Sequence, residues 1–146
     1  MKPEIYEKYK HLFTSQLMMG PNTVRLLDEM VTRYPLENRA RMMDLGCGTG
    51  ILCEILHSRG IRAAGMDFSS GMIEIARRGS DRICYEVADM ITYRPEKQFD
   101  LVTCTGDAVN HIPELSDVEK IFQNVYAYTA SGGYFIFDIL NENERE

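Results

Sequence analysis

At 146 residues the chain has the length of one domain, and 45% hydrophobic with 26% charged residues is the balance of a folded globular protein, not of a disordered one. A formal net charge of -6 excludes the broad basic footprint that would hold nucleic acid, and the pair Arg77 and Arg78 is more simply a solvated helix end. No apolar stretch approaches the roughly 20 residues that span a bilayer, and "MKPEIYEKYK" lacks the apolar centre of a signal peptide, so no membrane partner and a cytoplasmic location are expected.

In chain order, residues 1–20 lie outside any strand–helix alternation and read as an N-terminal helical flap with Tyr6, Tyr9, Phe13 and Leu17 roughly on one side. Such a segment either packs on the sheet or closes over a ligand, and in the second case Tyr6 or Tyr9 touches substrate. From residue 21 to 146 a single α/β domain is expected. "PNTVRLLDEMVTRYP" carries Val24, Leu27, Met30, Val31 and Tyr34 at helical spacing between Pro21 and Pro35. "RMMDLG" is a short continuous strand. "GILCEILHSRG" is a helix ending near Gly60, "IRAAGMD" a second strand, and "SSGMIEIARRG" a helix opened by Ser69 or Ser70 and closed by Gly79. "DRICYEVAD" and "FDLVTCT" are the third and fourth strands. "SDVEKIFQNVYAYT" opens with a capping box from Ser116 to Glu119 and points Val118, Ile121, Phe122 and Val125 inward; "GGYFIFDIL" is the fifth strand.

Strands alternating with helices imply βαβ units, a mostly parallel sheet covered on both faces, and therefore a doubly wound α/β fold. Ligands in such folds bind beyond the carboxyl ends of the strands, which here are Gly46 to Gly50, Asp67, Asp89 and Thr105 to Asp107. The four cysteines, Cys47, Cys53, Cys84 and Cys104, have no zinc-ligand spacing, so no metal is expected and they read as reduced and mostly buried.

The segment "MDLGCGTGILCEIL" places Gly46, Gly48 and Gly50 between a strand and a helix, where the backbone must turn sharply and a ligand can come close. No glycine is followed by lysine, which excludes a phosphate-gripping P-loop. The dinucleotide fingerprint would put a small residue at position 51, where Ile51 obstructs close packing of helix on strand. Asp44, two places ahead of the first glycine, would repel a pyrophosphate but suits a ligand with a cationic group. S-adenosylmethionine, with a sulfonium and an ammonium beside an adenosine and no phosphate, is such a ligand.

"MMDLGCGTG", "GMDFS", "EVADM" and "FDLVTCTGDAVNHI" together resemble, in order and spacing, the motifs of the class I S-adenosylmethionine-dependent methyltransferases, over about residues 40–140. The resemblance implies a Rossmann-like methyltransferase fold. It also implies a glycine turn (Gly46, Cys47, Gly48, Gly50) against the methionine part of the cofactor and an Asp44 that helps to position its amino group. By the same resemblance Asp67 accepts from both ribose hydroxyls with Phe68 beside the adenine, Asp89 accepts from the adenine amino group, Met90 supplies a backbone amide and apolar surface, and Thr105 lies on the cofactor side. Each acid also has a plainer reading: Asp67 as a helix-capping residue, Asp89 as a turn residue, Asp44 as a structural acceptor.

On the substrate side the candidates are Asp107, Asn110 and His111, with His111 as a possible general base or a loop-fixing residue, and Tyr6, Tyr9 and His11 from the flap. Methyl transfer by in-line displacement to a small-molecule acceptor is the leading expectation. A non-catalytic cofactor-binding module for regulation or assembly is the alternative, and a nicotinamide-dependent oxidoreductase a third. The family's sheet has two more strands after the fifth, whereas this sequence stops at "FDILNENERE". A partial domain is therefore expected, with a strand edge at which self-association could occur.

Overall fold

A computed structural model describes residues 40–106 and 108–139. The proposed flap, the expected helix over 21–35, Tyr6, Tyr9, His11 and Asp107 lie outside the described residues. The elements run β1 (Arg41–Leu45), α1 (Ile51–His57), β2 (Arg62–Asp67), α2 (Ser70–Gly79), β3 (Cys84–Val87), β4 (Phe99–Cys104), a single 3₁₀ turn (Val109–His111), α3 (Leu115–Tyr128) and β5 (Thr129–Phe137). All four strand pairings are parallel, in the order β3-β2-β1-β4-β5. The chain reverses its direction of winding between β1 and β4, so their carboxyl ends flank the crevice where doubly wound folds take ligands.

Alternation along the strands feeds two cores. Met42, Ala63 and Leu101 face α1 and α2, with Ile51, Leu52, Ile55, Leu56, Ile73 and Ala76 packed on them. Met43, Leu45, Met66, Val102 and Cys104 face the other way, onto Ile121, Val125 and Tyr128 of α3. Burial on both sides explains why these strands read as continuous apolar runs in the sequence.

Several boundaries differ from the sequence reading. The capping box at Ser116 does not form: the first helical carbonyl is that of Glu114, which accepts from Asp117 and Val118 at 3.0 and 3.2 Å, so Ser116 already lies inside the first turn. Phe122 is not core; it sits at the rim of α3, 36% exposed, against Phe135 and Phe137 of β5. The third strand keeps only four residues, and Cys84 is exposed because, among the described residues, β3 has a neighbouring strand on one side only. The fifth strand begins at Thr129 instead of Gly132, because Thr129 pairs with Phe99 before an irregularity that carries Gly132 at φ +78° brings Tyr134 opposite Leu101. Ser69, of the two serines weighed, caps α2, its hydroxyl accepting from Met72 N at 3.3 Å.

Candidate cofactor site

The glycine turn leaves β1 and is sewn to the end of β2. Gly46 N and Cys47 N both donate to Met66 O at 2.9 Å, Gly48 N donates to Asp67 Oδ2 at 2.9 Å, and Gly50 N donates to Cys47 O at 3.0 Å. Four amides of the turn therefore point into the fold. A phosphate-binding loop aims its amides outward at the anion; this one uses them internally.

Two of the glycines are required by what stands against them. Gly50 enters α1 at φ +83°, a left-handed conformation that disfavours any side chain. A Cβ there would also collide with the hydroxyl of Tyr85, whose Cζ would be only 2.7 Å away. That hydroxyl donates to Gly50 O at 3.2 Å. Gly46, at φ +71°, has Ala108 Cβ and Met90 Cε at 3.2 and 3.5 Å from where a Cβ would stand. Segments following β1, β3 and β4 thus meet over one glycine.

The acids at the strand ends form a field of one sign. Asp44 is buried, its Oδ1 accepting from the Thr103 hydroxyl at 2.8 Å. Burial pushes its carboxyl up to about 7, the Thr103 hydrogen bond opposes this, and the nearby charges of Asp67 and Asp138 push further up. Asp67 is half-buried; besides Gly48, it accepts from Ser69 N through Oδ1 at 2.8 Å. Ala88 N donates to Asp67 O at 3.0 Å, which brings Asp89 beside it. Asp89 Oδ1 accepts from Ile91 N at 2.9 Å. Each carboxylate oxygen has a second lone pair for a ligand donor, so the turn role and the ligand role of Asp67 and Asp89 are compatible.

Cys47 and Cys53 lie side by side beneath this turn, against Gly65 of β2, where a Cβ would stand 2.8 Å from Cys47 Cβ and 3.1 Å from Cys53 Sγ. Burial, then the charge of Asp44, push both thiols well above the ordinary cysteine range, and burial with Asp44 and Asp138 lifts Cys104 to about 12. All three serve as small apolar fillers, not nucleophiles.

The remaining candidates spread over the rim. Thr105 is buried at the end of β4, Met90 lies against Gly46, and Phe68 is 79% exposed next to Asp67. Asn110 and His111 share the 3₁₀ turn after β4, with His111 exposed. Three contributors escaped the sequence reading. Asp138, just past β5, accepts from Gly106 N through Oδ2 at 2.9 Å and so holds the turn after β4. Tyr85 and Thr103 hold the glycine turn and Asp44. Period-2 alternation marks Tyr85 and Thr103 as inward, but only the pairing of distant strands reveals their polar partners.

A model of the family described as "Methyltransferase domain" matches residues 42–133. The ubiquinone biosynthesis O-methyltransferase of Coxiella burnetii is 27% identical over 131 residues, 86% of this chain and 53% of that protein. Among solved structures, an S-adenosylmethionine-dependent methyltransferase from Clostridium acetobutylicum superimposes with a TM-score of 0.74 at 27% identity, over 92% of this chain and 57% of that one. A S-adenosylmethionine-bound amino pentose methyltransferase from Micromonospora echinaspora gives 0.73 at 27% identity, over 84% and 51%. The chain spans about half the length of the curated relatives it matches. Sheet order, glycine turn and matched span agree, and this chain belongs to the methyltransferase-domain family, in its class I, Rossmann-like, S-adenosylmethionine-dependent branch.

Proposed function

We propose that this protein transfers a methyl group from S-adenosylmethionine to a small-molecule acceptor in the cytoplasm. One observation carries the cofactor half of this reading: the glycine turn directs its amides inward while Asp44, Asp67 and Asp138 gather around it, so the crevice repels phosphate and favours a cation. The residues present fit such a group, since nothing stands within 4 Å of where a Cβ on Gly48 would be, and Asp67 and Asp89 keep acceptor lone pairs. Gly46, Cys47, Gly48 and Gly50 would lie along its methionine part, with Asp44 acting on its amino group through the field. Asp67 would take the ribose hydroxyls, Phe68 the adenine face, and Asp89 with the Met90 amide the adenine edge, while Thr105 lines the same side.

When bound, S-adenosylmethionine supplies a methyl group already activated on a positively charged sulfur. The protein's share is to hold an acceptor atom in line with that methyl, about 3 Å away, to exclude water and to take a proton from a protonated acceptor. The chain's own chemical task would be to accept, with a base, the proton that a protonated acceptor gives up. Asp107 and His111 are the side chains we assign to that base, with Asn110 and the flap residues Tyr6 and Tyr9 holding the acceptor. Reduced cysteines, with Cys47, Cys53 and Cys104 buried, and the acidic charge balance support the cytoplasmic setting and the absence of nucleic acid.

Calorimetric titration of the intact protein with S-adenosylmethionine, S-adenosylhomocysteine and NAD tests the reading. Binding of the first two and not the third is expected; binding of NAD alone would overturn it. Asp67→Ala should weaken both cofactor forms by about 2 to 4 kcal/mol, at roughly 1 to 2 per charged hydrogen bond. Turnover of an acceptor from a panel of amines, hydroxyls, thiols and carbon acids separates the enzyme from a non-catalytic binding module.

A further inference from the structure

The inward face of α3 carries two polar groups: the Tyr128 hydroxyl, which has no hydrogen-bond partner among the described residues, and the amide of Asn124. Asn124, only 6% exposed, sits among Ile121, Val125 and Tyr128. An amide there is costly unless it is fully hydrogen-bonded, and asparagine is a poorer helix former than the aliphatic residues that would fill the same space.

Its partners all belong to the loop that follows β3. Asn124 Nδ2 donates to Ile91 O at 2.9 Å, and Arg94 Nε donates to Asn124 Oδ1 at 3.1 Å. Arginine has no acceptor, so the oxygen of the amide must face it and the NH₂ must face the carbonyl; the orientation has no degenerate alternative. Ile91 is then held at both ends, because its own N–H donates to Asp89 Oδ1 at 2.9 Å. Thr92 N closes the turn on Asp89 O at 3.1 Å. An unbroken line of hydrogen bonds runs from Arg94 through Asn124 and Ile91 to the Asp89 carboxylate.

We propose that Asn124 is a positioning residue for recognition of the adenine ring: it fixes the Asp89 carboxylate through Ile91, from a helix that itself lies under the sheet. The proposal rests on Asp89 as the acceptor for the adenine amino group. Asn124 sets where that acceptor stands, and Arg94 sets how Asn124 is turned.

The test is a cycle of two ligands and three proteins by calorimetry, with a third ligand as control. The ligands are S-adenosylhomocysteine and its analogue with hydrogen in place of the adenine 6-amino group; the proteins are wild type, Asn124→Ala and Arg94→Ala. In wild type, removal of the amino group should weaken binding about tenfold, the worth of one hydrogen bond to a charged acceptor. In Asn124→Ala the same removal should matter no more than about threefold, with Arg94→Ala between the two. The 2′-deoxyribose analogue should lose the same factor in all three proteins, which a general loosening of the domain would not leave unchanged. No loss in wild type overturns the assignment of Asp89, and the proposal with it. A full tenfold loss retained in both variants overturns the role of Asn124 alone. Arg94 is exposed, so Arg94→Ala decides the matter if Asn124→Ala does not fold.

Discussion

The two ends of the sheet contrast in how they are finished. On the β1–β2 side the carboxyl ends are closed by backbone amides running into carbonyl and carboxylate oxygens, over a core of α1 and α2. On the β5 side a groove of about 770 Å³ runs between α3 and β5, lined by Phe122, Val125, Tyr126, Phe135 and Phe137. The rings of Phe122, Phe135 and Phe137 stand 5.0 to 5.4 Å apart in it, and Tyr126 is 85% exposed. None of the residues assigned to the cofactor lines this groove. The contrast teaches that the cofactor side is held by directional bonds among few residues, where one atom too many matters, while the β5 side is held by area, where single changes are absorbed.

The largest effect with which to break this contrast is electrostatic. Asp44 has its carboxyl raised from 3.8 to about 7 in the fold, so the folded chain prefers it protonated. The stability that follows is fully present below pH 4 and is lost as pH rises toward 7, by as much as about 4 kcal/mol before other groups are counted. Denaturant unfolding at pH 5 and pH 8 should show about 2.5 kcal/mol of that loss, the rest falling below pH 5, and Asp44→Asn should flatten it. A cationic ligand favours the ionised form, so S-adenosylmethionine should gain on its uncharged-sulfur product between pH 6 and pH 8. Equal pH profiles for the two would remove Asp44 from the cofactor's field.

Next is Gly50→Ala, which combines a left-handed backbone with a collision against Tyr85. It should lower stability by about 3 kcal/mol in urea. Adding Tyr85→Phe removes the colliding oxygen and should return part of that loss; no recovery would mean that backbone strain and the remaining ring carbons, not the hydroxyl, are responsible. Tyr85→Phe by itself gives up one neutral hydrogen bond to Gly50 O, about 1 kcal/mol. Glu54 N also donates to that carbonyl, so the loss should fall at the low end.

The smallest effect belongs to the β5 side. Phe122→Leu should change stability by no more than about 1 kcal/mol, because the ring is already partly in water and leucine keeps most of the apolar contact. If two copies meet along β5, the last strand of the described sheet, Tyr126→Lys should reduce the association measured by sedimentation velocity. Identical sedimentation for wild type and variant would discard that contact.

The doubly wound order was legible because α/β periodicity survives in a single sequence: apolar runs at β1, β2 and β4 for strands buried on both faces, capped amphipathic stretches between them. The placement of the acids was legible too: Asp44, Asp67 and Asp89 stand at or near the carboxyl ends of strands, as their position in the sequence pattern implies. The site was not legible where the meaning comes from a partner far along the chain. Asp138 bonds Gly106, and Thr103 bonds Asp44 59 positions away. Helix and strand limits shifted for a related reason. Glu114 rather than Ser116 opens α3, and Thr129 rather than Gly132 opens β5, because the hydrogen-bonded neighbour sets the end and the local signal does not.

The bond from Gly48 N to Asp67 Oδ2 has a use beyond holding the turn. If Asp67 takes the ribose hydroxyls as proposed, that amide hydrogen would share its acceptor with them, and occupancy should lengthen the bond and move the amide proton resonance upfield. The chain has 11 glycines, so a glycine-labelled sample gives a sparse spectrum in which this one signal reads binding directly. On that reading the protein carries its own spectroscopic gauge for the ligand, placed where the carboxylate at the end of β2 would serve the turn and the ribose at once.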